Sequence, residues 1–134
     1  MRISWVVIAL AASVIGASLA YAEEPTTWGK VVTKTATQAG NAADQDLWDP
    51  AADTSIVLMG CLFSSSAPAT VELEVSNVDV VPPQVLESAG WRQVGYGTFP
   101  LYHGATDAVL TYTTTNNSGT VAIMCSGYEK PAGF

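Results

Sequence analysis

Beyond residue 26 the apolar positions come in short runs with a period near two, and no stretch carries the three-to-four spacing of a helix face. β-Branched and aromatic residues fill the runs 27–37, 54–64, 69–81, 90–99, 107–115 and 119–128, with Gly, Pro, Asn and Ser between them. In ATVELEV, Val71, Leu73 and Val75 alternate with Glu72 and Glu74, which predicts a strand with one buried and one wet face. SIVLMGCLF is apolar at both parities, as in a central strand covered above and below, with Val57, Met59, Cys61 and Phe63 on one face. Pro82-Pro83 ends the third run, because proline cannot donate to a ladder. TYTTTNNSGTVAIMC predicts a hairpin turning at Asn116-Asn117-Ser118-Gly119, with Val121, Ile123 and Cys125 on one face. Such spacings predict an all-β fold, an antiparallel β-sandwich or barrel.

The first segment breaks this pattern. MRISWVVIALAASVIGASLAYAEEP has one base, Arg2, then no charge from Ile3 to Ala22, and small residues lead to Ala20-Tyr21-Ala22. That is the layout of a secretory signal peptide cut after Ala22, with a retained single-span anchor as the rival. Cleavage leaves no membrane span and places the chain in a secreted, periplasmic or cell-surface location. No cysteine lies in this segment, which excludes a lipid-modified amino terminus. The rest, Glu23 to Phe134, has the length of a single domain with one core. Within it the polar stretch from Gln38 to Asp46 predicts a flexible leash. The expected organisation is therefore 1–22 signal peptide, 23–45 amino-terminal strand and leash, and 46–134 sandwich domain.

Cys61 and Cys125 are the only cysteines, so only one pairing exists. An even count in a small exported chain predicts a disulfide, with two buried free thiols as the alternative. Both cysteines fall at core-facing positions of the strands they occupy.

Taken together, LWDPAADTSIVLMGCLFSSSAPATVELEV and TDAVLTYTTTNNSGTVAIMCSGYE resemble the small jelly-roll domains of virion surfaces and extracellular appendages. The resemblance spans about residues 46–128 and rests on a Trp-x-Pro turn entering a central strand, a Ser/Ala-rich loop and a final hairpin that closes the sandwich. It implies a jelly-roll sandwich and transfers no functional residue. The leader departs from the virion versions and points to an exported cellular protein.

Charge narrows the partners. Twelve acids face Lys30, Lys34, Arg92 and Lys130 once Arg2 leaves with the leader, an acidic balance that repels phosphate backbones and argues against nucleic acid. Catalytic material is sparse. His103 is the one histidine, Asp107 lies four residues on, and no G-x-S-x-G nucleophile elbow exists. Glu72 and Glu74 stand about 7 Å apart along a strand, within an inverting glycosidase's range, but read as solvated carboxylates. No enzyme is indicated and no cofactor is expected, calcium apart. Asp44, Asp46 and Asp49, with the Asn41 amide, are the candidate calcium ligands, against the reading that this is a solvated turn without an EF-hand series.

Two functional classes remain. One is a structural or adhesive subunit of the cell surface, self-assembling by exchange of the leashed strand 27–37 onto a neighbour's edge. The other is a carbohydrate-binding module with an aromatic platform of Trp91 and Tyr96, chosen from Trp28, Trp48, Trp91, Tyr96, Tyr102, Tyr112 and Tyr128. The platform requires rings that face water, while the simpler expectation is that they fill the core.

Overall fold

A computed structural model describes residues 29–87 and 89–133; the expected signal peptide and Trp28 lie outside the described residues. All regular structure there is strand, and no helix is long and apolar enough to cross a membrane among the described residues. The strands are β1 (Lys30–Ala39), β2 (Ala42–Trp48), β3 (Thr54–Ser65), β4 (Ala69–Val75), β5 (Val78–Asp79), β6 (Gln84–Leu86), β7 (Gly90–Gly95), β8 (Tyr102–His103), β9 (Leu110–Thr115) and β10 (Thr120–Pro131).

Their pairing is that of one long hairpin rolled up. β1 pairs with β10, β2 with β9, β3 with β7 and β8, and β4 with β5 and β6, all antiparallel. Contacts of β10 with β3 and of β9 with β4 then close two sheets. Sheet A has the order β1-β10-β3-β7, and sheet B the order β2-β9-β4-β5. This path is the jelly roll, and the all-β sandwich expected from the sequence is the fold. The inner faces meet over Trp48, Ile56, Leu58, Phe63, Leu73 and Leu110, all fully buried.

The Cys61–Cys125 disulfide is present. The two cysteines are direct cross-strand partners on β3 and β10, with Cα atoms 4.1 Å apart and no exposure, so the bridge faces the core.

Three sequence expectations change. The stretch Gln38 to Asp46 is not a leash: it is the end of β1, a turn at Gly40-Asn41, and most of β2, which is held by β9. The segment around Asn116–Gly119 is not a hairpin turn, because β9 belongs to sheet B and β10 to sheet A. It is a crossover between layers. Buried Asn117 ties these two turns together, its Nδ2 donating to the carbonyls of Gln38 (3.1 Å) and Gly40 (2.8 Å) while its backbone N–H donates to Asn41 Oδ1 (2.9 Å). Finally, β3 changes parity. The register passes from Ser126↔Gly60 to Gly127↔Leu58, leaving Met59 as a bulge. Cys61 and Phe63 face the core above it, and Ile56 and Leu58 below it, so Val57 and Met59 leave the face predicted for them. Gly127 permits the close approach, since a Cβ there would stand 2.0 Å from the Val57 carbonyl oxygen.

Candidate functional site

The outer face of sheet A can be read row by row from the registers. One row runs Thr37, Ala122, Ser64, Trp91, and the next Thr35, Met124, Leu62, Gln93. A third runs Thr33, Ser126, Gly60, Gly95, and a fourth Val31, Tyr128, Val57, His103. These four rows contain no Asp, Glu, Lys or Arg, in a chain with twelve acids and a net charge of −7. The matching row on sheet B is Asp46, Thr111, Glu74, Asp79. Charge is thus segregated to one side of the sandwich, and the other side is left uncharged and partly apolar.

The uncharged side holds a groove of about 330 Å³ whose floor and walls include Thr35, Thr37, Leu62, Ser64, Trp91 and Met124. The groove runs across the strands, from Trp91 on edge strand β7 to the threonines of edge strand β1. Three inter-strand spacings separate those ends, or about 14 Å. Trp91 is 71% exposed and its indole stands at the groove's end. Alternation explains the lining: every second side chain is buried on β10 and half-buried on β1, which leaves the threonines, Ala122 and Met124 facing outward.

Tyr96 belongs to the same face but not to the groove. Gly95 and Tyr96 both take positive φ (78° and 61°), which folds the chain back over β3, where the Tyr96 N–H donates to the Met59 carbonyl at 2.8 Å. The ring then lies on Gly60, where a Cβ would come within 2.5 Å of it, and the hydroxyl reaches Ser126 Oγ at 2.7 Å. Ser64 and Gly60 are four residues apart on β3, so Trp91 and Tyr96 stand about 13 Å apart along the strands. Both rings face water, Tyr96 at 41% exposure, but they are two features rather than one platform.

Trp91 also lines a second recess of about 230 Å³, shared with Val85, Leu86, Glu87, Gly90 and Arg92. This recess sits where the chain passes from sheet B, at β6, to sheet A, at β7.

The remaining candidates separate. Trp48 and Tyr112 are core residues: the Trp48 indole donates to Glu129 Oε1 at 2.9 Å, and the Tyr112 hydroxyl to Gln38 Oε1 at 3.1 Å. Tyr102 is half-buried, and desolvation raises its hydroxyl above the ordinary value of 10.0. His103 Nε2 lies 3.4 Å from Ser55 Oγ, while the Asp107 carboxylate accepts from the Asp53 backbone N–H at 2.8 Å. Glu72 and Glu74 are half-exposed on sheet B, and Glu74 accepts from the Thr113 hydroxyl at 3.2 Å. Asp44 and Asp46 sit exposed on β2 and Asp49 just past it, and no three acids, histidines or cysteines gather to hold an ion among the described residues. Sequence reasoning missed Thr35, Thr37, Leu62, Ser64 and Met124. The available signal was the absence of acids at outward positions of 30–39 and 119–128, legible only once the strands are paired.

No protein-family model matches the chain, and no curated protein matches it.

Proposed function

We propose that the protein is an exported, non-enzymatic adhesive or structural subunit of the cell surface or extracellular space, which works by binding carbohydrate on the outer face of sheet A. One observation carries this reading: an indole 71% exposed at the end of a charge-free groove lined with threonine and serine hydroxyls. Indole faces stack on the C–H faces of sugar rings, and neighbouring hydroxyls donate to and accept from sugar hydroxyls. The leader and the disulfide support export, and the resemblance to appendage domains supports a surface role.

Several features argue against catalysis. Asp107 is engaged by the Asp53 backbone rather than orienting His103, and the Ser55–His103 separation is long for a working hydrogen bond. Self-assembly by strand exchange loses its motive, because β1 pairs with β10 along its whole length and has no leash. Assembly by face packing is also weakened by size. Four rows on four strands project to roughly 500 Å², against the ~800 Å² each partner buries in a standard interface. Even with side-chain relief, such a pair falls at the weak end.

The test is a glycan array probed with the mature protein, alongside its elution volume in size-exclusion chromatography. A monomer retained on neutral glycans, with retention abolished in Trp91→Ala at an unchanged melting temperature, is expected. A protein that binds no glycan on the array overturns the reading.

A further inference from the structure

We infer that the ligand is an extended, uncharged oligosaccharide that crosses the strands of sheet A and passes over Trp91 into the second recess, beside Arg92 and Glu87. This inference rests on the carbohydrate reading and adds chain length, direction and charge to it.

The central observation is that one residue, Trp91, lines two recesses. The groove on the sheet side holds about 330 Å³ and the recess beyond Trp91 about 230 Å³. Each by itself is at or below the smallest pockets that enclose a small-molecule ligand, roughly 300–1,000 Å³. In the inferred binding mode a ligand spans both, meeting Trp91 between the sheet A groove and the recess beside β6. A path about 14 Å long on the sheet side alone exceeds one sugar ring. Trp91 then sits within the bound chain rather than at its end, so internal units of a polymer are accepted as readily as a terminus.

The two halves of the path differ in chemistry. The sheet half offers only the hydroxyls of Thr35, Thr37 and Ser64 above an apolar floor of Leu62 and Met124, a surface that supplies contact and modest hydrogen bonding. The far half offers a guanidinium fork from Arg92 and a carboxylate from Glu87. A fork of N–H donors and a two-oxygen acceptor each fit a pair of adjacent sugar hydroxyls, and charged groups make the stronger hydrogen bonds. One acid beside one base gives no net attraction for an ionic ligand, and the acidic molecule as a whole repels an anionic polysaccharide. The far half therefore sets specificity, and the sheet half supplies stacking.

The experiment uses the mature protein and ladders of neutral gluco-, manno-, xylo- and galacto-oligosaccharides, from monosaccharide to hexasaccharide, titrated calorimetrically with acidic uronic-acid ladders beside them. In the neutral series that binds, affinity rises about tenfold or more with chain length, a gain of about 1.4 kcal/mol. Trp91→Ala abolishes binding at every length. Arg92→Ala and Glu87→Gln, which alter exposed side chains, remove the gain with length. Equal affinity at all lengths, or a preference for the acidic ladders, overturns the extended neutral chain while leaving the carbohydrate reading intact. No binding by any ladder overturns both, as does a concentration-dependent dimer in which Trp91 fluorescence shows the ring buried by a second copy.

Discussion

Glu129 shows how a single acid is accommodated in an apolar interior. It projects inward from β10, is 9% exposed, and accepts the Trp48 indole N–H at 2.9 Å. Trp48 is the largest fully buried side chain and the last residue of β2, so this bond joins the two layers across the core. Glu129→Gln keeps an acceptor and is expected to cost under about 1 kcal/mol, whereas Glu129→Ala orphans the indole and should cost about 1–3 kcal/mol in urea denaturation. Tyr102 gives a pH signature. Burial raises its hydroxyl in the folded state, so the unfolded chain loses that proton first as pH climbs past 10.0. Its contribution is complete below 10.0 and is lost between that value and the folded one. Denaturation midpoints should fall with pH in that alkaline window, and less steeply in Tyr102→Phe. At the site, Gly60→Ala must displace the Tyr96 ring that rests on it, freeing the hydroxyl from Ser126. Tyr96 lies outside the groove, so binding through Trp91 should survive that change.

At the scale of elements, the disulfide and the crossovers carry the load. Cys61 and Cys125 close a separation of 64 residues, which stabilises the fold by about 4 kcal/mol in the chain-entropy model. Cys61→Ser should accordingly lose about 2–5 kcal/mol, read from denaturant midpoints under non-reducing conditions. Asn117→Ala removes the donor to two turn carbonyls at once and should cost about 2–3 kcal/mol, although its neighbours Asn116 and Ser118 are exposed. The same residue explains what the sequence could and could not reveal. Strand existence was legible from alternation, as in Val71, Leu73 and Val75 against Glu72 and Glu74, and the cysteine pairing followed from there being only two cysteines. Layer membership was not legible. Asn116-Asn117-Ser118-Gly119 announces a reversal, but whether the next strand pairs with the last one or crosses to the other sheet depends on partners far away. β2 was hidden for a related reason: Ala42 to Asp46 has no β-branched residue, and only β9 makes it a strand. The Met59 bulge left no local mark beyond the glycines around it, and it inverted the faces of Ile56, Val57 and Leu58. The groove inherited that difficulty, since its rows exist only when four distant segments align.

Across the whole molecule the decisive property is the sorting of charge between the two faces. Twelve acids would ordinarily give every surface an ionic character, yet the four outward rows of sheet A carry none. Binding of a neutral ligand there should be nearly insensitive to salt, changing less than about twofold when ionic strength shortens the Debye length from ~30 to ~3 Å. A strong salt dependence would instead indicate a charged partner.

The pairing of Lys30 with Glu129 puts the start of β1 and the last residues of β10 side by side, at the opposite end of the strands from the groove. From Lys30 to Thr37 is seven residues, or about 23 Å. A tether pulling upstream of Gly29 against a ligand held over Trp91 would draw β1 lengthwise along its partner, so that its cross-strand bonds with β10 share the tension together. Pulling on both ends of the described chain would part the same bonds in succession, at much lower force. Once β1 gives way, the Cys61–Cys125 bridge still withholds the 64 residues between the cysteines from stretching, roughly 220 Å of contour. In single-molecule pulling, the oxidised protein should therefore be strong from groove to tether, weak from end to end, and short in extension until it is reduced. If the adhesive reading proposed above holds, grip and tether would load the chain along one direction, and that alignment follows from the register of one edge strand.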